Sequence, residues 1–445
     1  MLPGNLPTLA NLIFGPGNPL ALLFADLSSD SDNSEDWLGL NDDNDANDLF
    51  ANPLEGMRLP RSVVTYPHDG DLFANMDGTS EDATKHWSNL RASVRDEKWM
   101  YEFRMREPLF EELLAVVQPH MDDSRVYVDG RRSYSKRHRL LLTLSFLAHA
   151  PSMRFLSLKL GVPQNTMSSS ILRKTVRAMK YGLIQDPATK EVRFPTEEHE
   201  VRSAMAGFRS KFGLLCILGA IDGSLIRMRK PTRDQTGGDR DAYWCYKGHM
   251  ASLLLAIVDS DGLFLYASAG APGCMGDAGL WANAELKSLL DNGLVPFGES
   301  LEVGIHEKFV HAYLVGDAAF GLSPTMIKCY EGTPDEHSAA GKFNRAVINS
   351  RRAVECAFGR LKTRWAFCNR NTFWGEPTFT RDCIQVCTGL HNFIQRRTGE
   401  LIEYAQNAQG EEQPPIDVEI GDAQVHMGGE VRDFLARWLS PNAEE

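Results

Sequence analysis

Residues 214–228, LLCILGAIDGSLIRM, and 249–271, HMASLLLAIVDSDGLFLYASAGA, set the fold class. The first is a β-rich apolar run with a break expected at Asp222-Gly223. The second reads as two apolar strands joined at Asp259-Ser260-Asp261-Gly262, where the Asp-Gly step is a strong hairpin signal. A helix is expected from about Asp277 to Leu290. A short strand, AYLVGD, then ends at Asp317. A long helix follows from about Arg345 to Phe367, with Val347, Val354, Phe358, Leu361 and Trp365 as its apolar stripe. Three antiparallel strands, a helix, a further strand and a helix make an α/β RNase H-like core, a mixed sheet flanked by helices.

N-terminal to this core the texture is helical. Phe110, Leu113, Leu114 and Val117 share one helix face. The stretch 133–179 reads as three helices, broken at Pro151 and at Gly161 to Pro163. Met153–Leu160 is short, Gly161 is a natural C-cap, and the last helix starts near Asn165 or Thr166 with Met167, Ile171 and Val176 inward. That is a helix-turn-helix outline. Two readings are open: an all-α packing module with a solvated basic face, or a DNA-docking module. In the second, Gln164, Asn165, Ser168 and Ser169 lie near base edges and Arg173, Lys174 and Arg177 on phosphates.

The 445-residue chain carries a net charge of −12, and its ends hold all of it. Residues 1–60 and 400–445 contribute −9 each, which leaves the middle at +6. A mildly basic body between acidic ends is compatible with DNA, and flexible acidic ends would compete with phosphate for it. Both ends are expected to be disordered and dispensable for catalysis. The expected organisation is therefore a disordered acidic segment at 1–88, a helix-turn-helix-like module at 89–185, a linker at 186–213, the core at 214–398 and an acidic tail at 399–445. The eight cysteines include no CxxC pair and read as buried thiols of an intracellular protein. Pro3, Pro7, Pro16 and Pro19 interrupt the uncharged N-terminal stretch, which argues against an export signal. No run is long and apolar enough for a membrane span, so no membrane partner is expected.

Cutting a phosphodiester without a covalent intermediate calls for two divalent ions, and hard ions take carboxylate oxygens. Asp222 and Asp317 each follow an apolar strand, and on neighbouring strands their carboxylates would meet at one edge of the sheet. Glu355 lies beside the stripe at Val354 and Phe358, facing the sheet boundary. Each acid also has an ordinary explanation, as a turn former or a helix-surface ion pair. Their order, strand-Asp, strand-Asp, helix-Glu, is what selects the catalytic reading.

The segments AIDGSLIRMRKP (220–231), YKGHMASLLLAIVDSDGLFLYASAGAPGCMGDAGLW (246–281), LVGDAAF (314–320), FNRAVINSRRAVECAFGRLKTRWAF (343–367) and GLHNFIQRR (389–397) resemble the PIF/Harbinger superfamily of DDE transposases and the Harbinger transposase-derived nucleases. The resemblance implies a DDE core with Asp222, Asp317 and Glu355 as catalytic, Mg2+- or Mn2+-holding acids. Asp277 falls on the acid of a further family motif and becomes a fourth candidate ligand, although Cys274 and Gly276 stand where the family commonly has Ser and His. Double-stranded DNA at transposon ends and targets is the implied substrate, with strand transfer after cleavage. Arg352, Arg360 and Lys362 around Glu355 join Arg173, Lys174 and Arg177 as expected DNA contacts. The family's habits add a Myb-like accessory protein, self-association and a nuclear location. A non-cutting DNA-binding descendant with the same fold is the alternative. His391 and Asn392 match a family motif but lie past the triad, where packing and capping are the expected roles.

Overall fold

The computed structural model describes residues 96–441 apart from 123–125, 129–131, 161–163, 296, 305, 370–373 and 400–421. The expected disorder over 1–88 lies outside these residues. In chain order the helical part contains α1 (Asp96–Phe103), α2 (Glu107–Val117), the short strands β1 (Val126–Val128) and β2 (Arg132–Tyr134), α3 (Lys136–His149), α4 (Met153–Leu160) and α5 (Lys174–Lys180). α5 is continuous with π-wound flanks at Thr166–Arg173 and Tyr181–Gln185. Met167, Ile171 and Val176 are buried in it. Then come α6 (Glu198–Phe212), β3 (Ile217–Arg227), β4 (Ala251–Val258), β5 (Phe264–Pro272), α7 (Asp277–Ala282) and α8 (Glu285–Asp291). β6 (Gly298–Val303), β7 (His306–His311), β8 (Tyr313–Val315), β9 (Met326–Ile327), α9 (Ala339–Arg364), α10 (Pro377–Thr398) and α11 (Asp422–Trp438) complete it.

The main sheet has the order β5-β4-β3-β8-β9. β3, β4 and β5 are antiparallel neighbours, while β8 runs parallel to β3 and β9 parallel to β8. Every residue of β4 is buried, which is why LLLAIV reads as an unbroken apolar run: both of its faces are covered. α6 and α9 pack on β3, and α10 packs on β5, so the sheet is mixed and flanked by helices. One continuous apolar core runs from Trp99 through the sheet to Ala436, so the N-terminal helices and the sheet share it. Among the described residues no helix is long and apolar enough to cross a membrane.

The β4–β5 hairpin closes as the Asp-Gly step predicts. Gly262 takes φ +80°, and the Asp259 carboxylate accepts from the N–H groups of Asp261 and Leu263, both at 2.9 Å. Five expectations need correction. β3 does not break at Asp222-Gly223 but continues to Arg227, pairing Asp222 with Ala256 and Gly223 with Leu255. The helix expected over 277–290 is two short helices parted at Asn283 and Ala284. α9 starts at Ala339, where the Ser338 side chain accepts from the Gly341 N–H at 3.0 Å and caps it.

The fourth correction concerns the C-terminal end. Within the expected disordered tail, Asp422–Trp438 is a helix that packs on α9, β6 and β9. Its acids face outward, while Phe434, Leu435 and Ala436 are buried, an apolar edge that the overall charge conceals. Tyr330 donates from its hydroxyl to Asp433 at 2.7 Å, and the Arg432 guanidinium lies 4.1 Å from the Tyr330 ring. The cysteines also differ from expectation: Cys216, Cys245, Cys368, Cys383 and Cys387 are buried, but Cys329 and Cys356 are only half-buried and Cys274 is exposed.

Candidate active site

The register between β3 and β8 brings two of the acids to one place. Its last pair is Ala220 with Val315, so Asp222 and Asp317 each stand two residues beyond it on parallel neighbours. Asp317 is half-buried in a turn in which its carboxylate accepts from the Ala319 N–H at 3.0 Å. The Asp222 carboxylate accepts from the Gly223 N–H at 2.9 Å.

Asp277, the first residue of α7, is 2% exposed and lies directly over β3. A β-carbon placed at Gly223 would fall 1.7 Å from its Oδ1. Gly223 is therefore the gap in the strand that admits Asp277, not a strand break. Burial pushes the Asp222 carboxyl up to about 8; the Arg351 guanidinium opposes this, and Asp277 and Asp317 add to it. Removing water from a carboxylate beside other carboxylates favours its protonated form.

Glu355 is not drawn into this group. Its side chain is 42% exposed and faces Arg351, one helical turn earlier, at 3.6 Å. Val354 and Phe358 take the inward face of α9, and Glu355 is turned away from them. Among the described residues no three His, Cys, Asp or Glu side chains converge closely enough to hold a metal ion. Arg351, at 19% exposure, is the cation of the cluster, and the sequence reading passed it over for its neighbour Arg352. The i, i+4 spacing from Arg351 to Glu355 was the available signal.

The expected DNA contacts sit in different surroundings. Arg352 and Arg177 are exposed. Arg360 reaches the β4–β5 turn, donating to the Asp261 carbonyl at 3.4 Å. Lys362 is directed along β3, with Nζ 3.5 Å from the Leu225 carbonyl oxygen, and burial holds its pKa below the usual lysine value. Arg173, expected at phosphates, is instead engaged by Glu376, with one hydrogen bond at 2.7 Å and a second to the other carboxylate oxygen. Its guanidinium also lies over Trp374 and Phe379. Lys174 pairs with Asp122 at 3.0 Å.

His391 and Asn392 are indeed packing and capping residues. Asn392, fully buried, accepts from the Phe264 N–H and donates to the Phe264 carbonyl, both at 2.8 Å, and donates to the Glu191 carbonyl at 3.0 Å. It thus acts as a strand partner for β5. His391 Nε2 lies 3.1 Å from the Gly262 carbonyl, and burial, with Arg364 next in effect, pushes its pKa down to about 3. An unfolded histidine titrates near ~6.5. The stability due to neutral His391 is therefore complete above that pH and is lost as the pH falls toward 3. His391→Gln keeps a donor for Gly262 but cannot titrate. It is expected to flatten the acid limb of a urea-unfolding pH series between these values, by up to about 1.4 kcal/mol per pH unit. An unchanged slope would remove His391 as the cause.

Residues 221–392 match the family model described as "DDE superfamily endonuclease". The chain is also 27% identical over 261 residues to "Protein ALP1-like" of Arabidopsis thaliana, a match that covers 58% of this chain and 61% of that protein. No solved structure matches significantly. Asp222, Asp277, Asp317 and Glu355 all lie inside the matched span, over which the chain is similar to a DDE superfamily endonuclease domain.

Proposed function

We propose that the protein is a metal-dependent DNA endonuclease of the transposase kind, with Asp222 and Asp317 as its principal carboxylates. The observation carrying this reading is the β3–β8 register that stands the half-buried Asp222 beside Asp317, with Asp277 seated over Gly223. Such a group takes up positive charge readily, and an all-carboxylate donor set suits a hard cation such as Mg2+ or Mn2+. Asp222 and Asp317 would hold it, and Asp277 and Glu355 would have to turn inward to join them. When bound, it supplies activation of the attacking water and stabilisation of the leaving oxygen.

The chain's own residues do the rest. Gly223 gives Asp277 its place, and the β3–β8 register fixes Asp222 against Asp317. Arg351 holds Glu355 and balances charge on Asp222. Duplex DNA is the substrate, with cleavage leaving a 3′ hydroxyl fit for strand transfer, and a nuclear location follows from that substrate. The exposed Arg177 and Arg352 are the best placed of the expected DNA contacts.

The outward Glu355 favours a second reading, a DNA-binding descendant that no longer cuts. Titration calorimetry with Mn2+, alongside cleavage of a linear duplex, separates the two. Binding that is lost in Asp317→Asn and weakened about tenfold or more in Glu355→Gln, together with cleavage by the wild type only, is the expected result. Normal cleavage by Asp317→Asn would sink the assignment, and DNA binding without any Mn2+ uptake would establish the descendant.

A further inference from the structure

The connection between β3 and β4 contains a second feature that the acids do not explain. Residues 243–246, YWCY, alternate inward and outward. Tyr243, with Met228 and Met250, forms a small core separate from the main one, and Cys245 is 1% exposed. Trp244 and Tyr246 face outward at 53% and 47% exposure. The backbone is fixed: Trp244 bridges to Met250, the Cys245 N–H donates to the His249 carbonyl at 2.9 Å, and Gly248 takes φ +75° to close the turn. Two large aromatic rings are thus presented to solvent on a rigid support. This is the opposite of what burial alone would select, because each exposed ring forgoes a large apolar contribution to folding.

The surroundings are cationic. Arg227 at the end of β3 and Arg229, Lys230, Arg233 and Lys247 on the connection are exposed and outnumber its exposed acids Asp234, Asp239 and Asp241, of which Asp241 pairs with Lys230 at 3.0 Å; the Lys247 ammonium lies 5.6 Å from the Tyr246 ring centroid. The hairpin also adjoins the acids. The Cys274 N–H donates to the Ala242 carbonyl at 3.1 Å, and three residues later the chain reaches Asp277. Met275, 37% exposed, lies on the short stretch between Cys274 and Asp277. The half-buried Lys362 reaches β3, with Nζ 3.5 Å from the Leu225 carbonyl oxygen, three residues beyond Asp222.

We propose that Trp244 and Tyr246 form a stacking platform for unpaired nucleobases of DNA next to the carboxylate site, with the flanking arginines and lysines on the phosphates. The inference rests on the endonuclease reading for its substrate class. Exposed aromatics between cations fit single-stranded nucleic acid, since every base offers a π-face and every linkage a negative charge. A duplex hides its base faces, so the platform takes hold where strands are frayed, nicked or opened at a cut.

Binding of a fluorescent single-stranded oligonucleotide and of the matching duplex to the full chain tests this in EDTA, which keeps it independent of any metal-dependent cleavage. Trp244→Leu and Tyr246→Ala are each expected to weaken single-strand binding about tenfold and to leave duplex binding within about twofold, while Trp244→Phe retains most of it. A base analogue such as 2-aminopurine in the oligonucleotide should lose fluorescence on binding the wild type and keep it with the Trp244→Leu, Tyr246→Ala double variant. Undiminished single-strand affinity in the double variant overturns the platform, as does equal weakening on both DNAs or absence of wild-type single-strand binding at low salt. Failure of the endonuclease reading would show separately, as no Mn2+-dependent cleavage with the platform intact.

Discussion

Asp222→Asn is expected to abolish cleavage and at the same time to raise the melting temperature of the metal-free protein above neutral pH. The catalytic loss should reach about a thousandfold, the equivalent of roughly 4 kcal/mol of transition-state stabilisation. The gain in stability follows from the direction of the Asp222 shift, upward to about 8 from an ordinary carboxyl value of 3.8. A carboxyl raised on folding favours the folded state fully below the unfolded value, and that advantage drains away as pH rises through the folded one. Metal-free wild type should therefore lose stability between about pH 4 and 8, whereas the neutral amide, which retains an oxygen for the Gly223 N–H, should lose less. Each kcal/mol relieved corresponds to about 2–4 °C in a chain of this class. Scanning calorimetry at pH 5, 7 and 9 provides the measurement, and Mn2+ should raise the wild-type melting temperature far more than that of the variant. A variant that melts below wild type at pH 9 would mean that Asp222 is not a buried charge.

Asn392→Ala should produce a large loss of stability. It orphans the N–H and carbonyl of Phe264, two buried backbone groups that Asn392 now satisfies, while the Glu191 carbonyl keeps its second donor, Arg396, at 2.9 Å. Each buried group left unsatisfied costs about 1–3 kcal/mol, so a total near 4 kcal/mol is expected in urea unfolding. A loss under about 1 kcal/mol would show that water replaces the amide without difficulty.

Much of this fold was legible because its decisive segments obey simple patterns. The all-buried β4, the Asp259-to-Gly262 turn and the strand before Asp317 follow from apolar runs and turn chemistry. Asp222 and Asp317 were likewise readable, since each follows an apolar strand and only the strand order had to be supplied. What escaped was local and lay in contacts. Gly223 looked like a break because its purpose, making room for Asp277, depends on a helix that begins 54 residues further along the chain. The β6–β7 hairpin is mostly polar, with GESLEV against HEKFVH, so no apolar run announced it. Arg351 and the outward turn of Glu355 depend on the rotation of α9 about its axis, which a stripe of five apolar residues leaves free by a few tens of degrees. Arg173 looked like a phosphate ligand because Glu376, its partner, is about 200 positions away in sequence.

The helix α11 changes how lesions in this protein should be interpreted. Gly428 lies so close to Ser323 that an added β-carbon would come within 2.7 Å of its backbone, and Tyr330 and Cys329 receive contacts from Asp433 and Arg432. These partners lie on the segment that runs from Asp317 to α9, the stretch of chain joining two of the candidate acids. A premature stop codon near position 421 would leave every acid of the site in place and yet remove the support behind this connection. In a genetic screen such an allele should score with the active-site nulls and not with the harmless losses of an acidic tail.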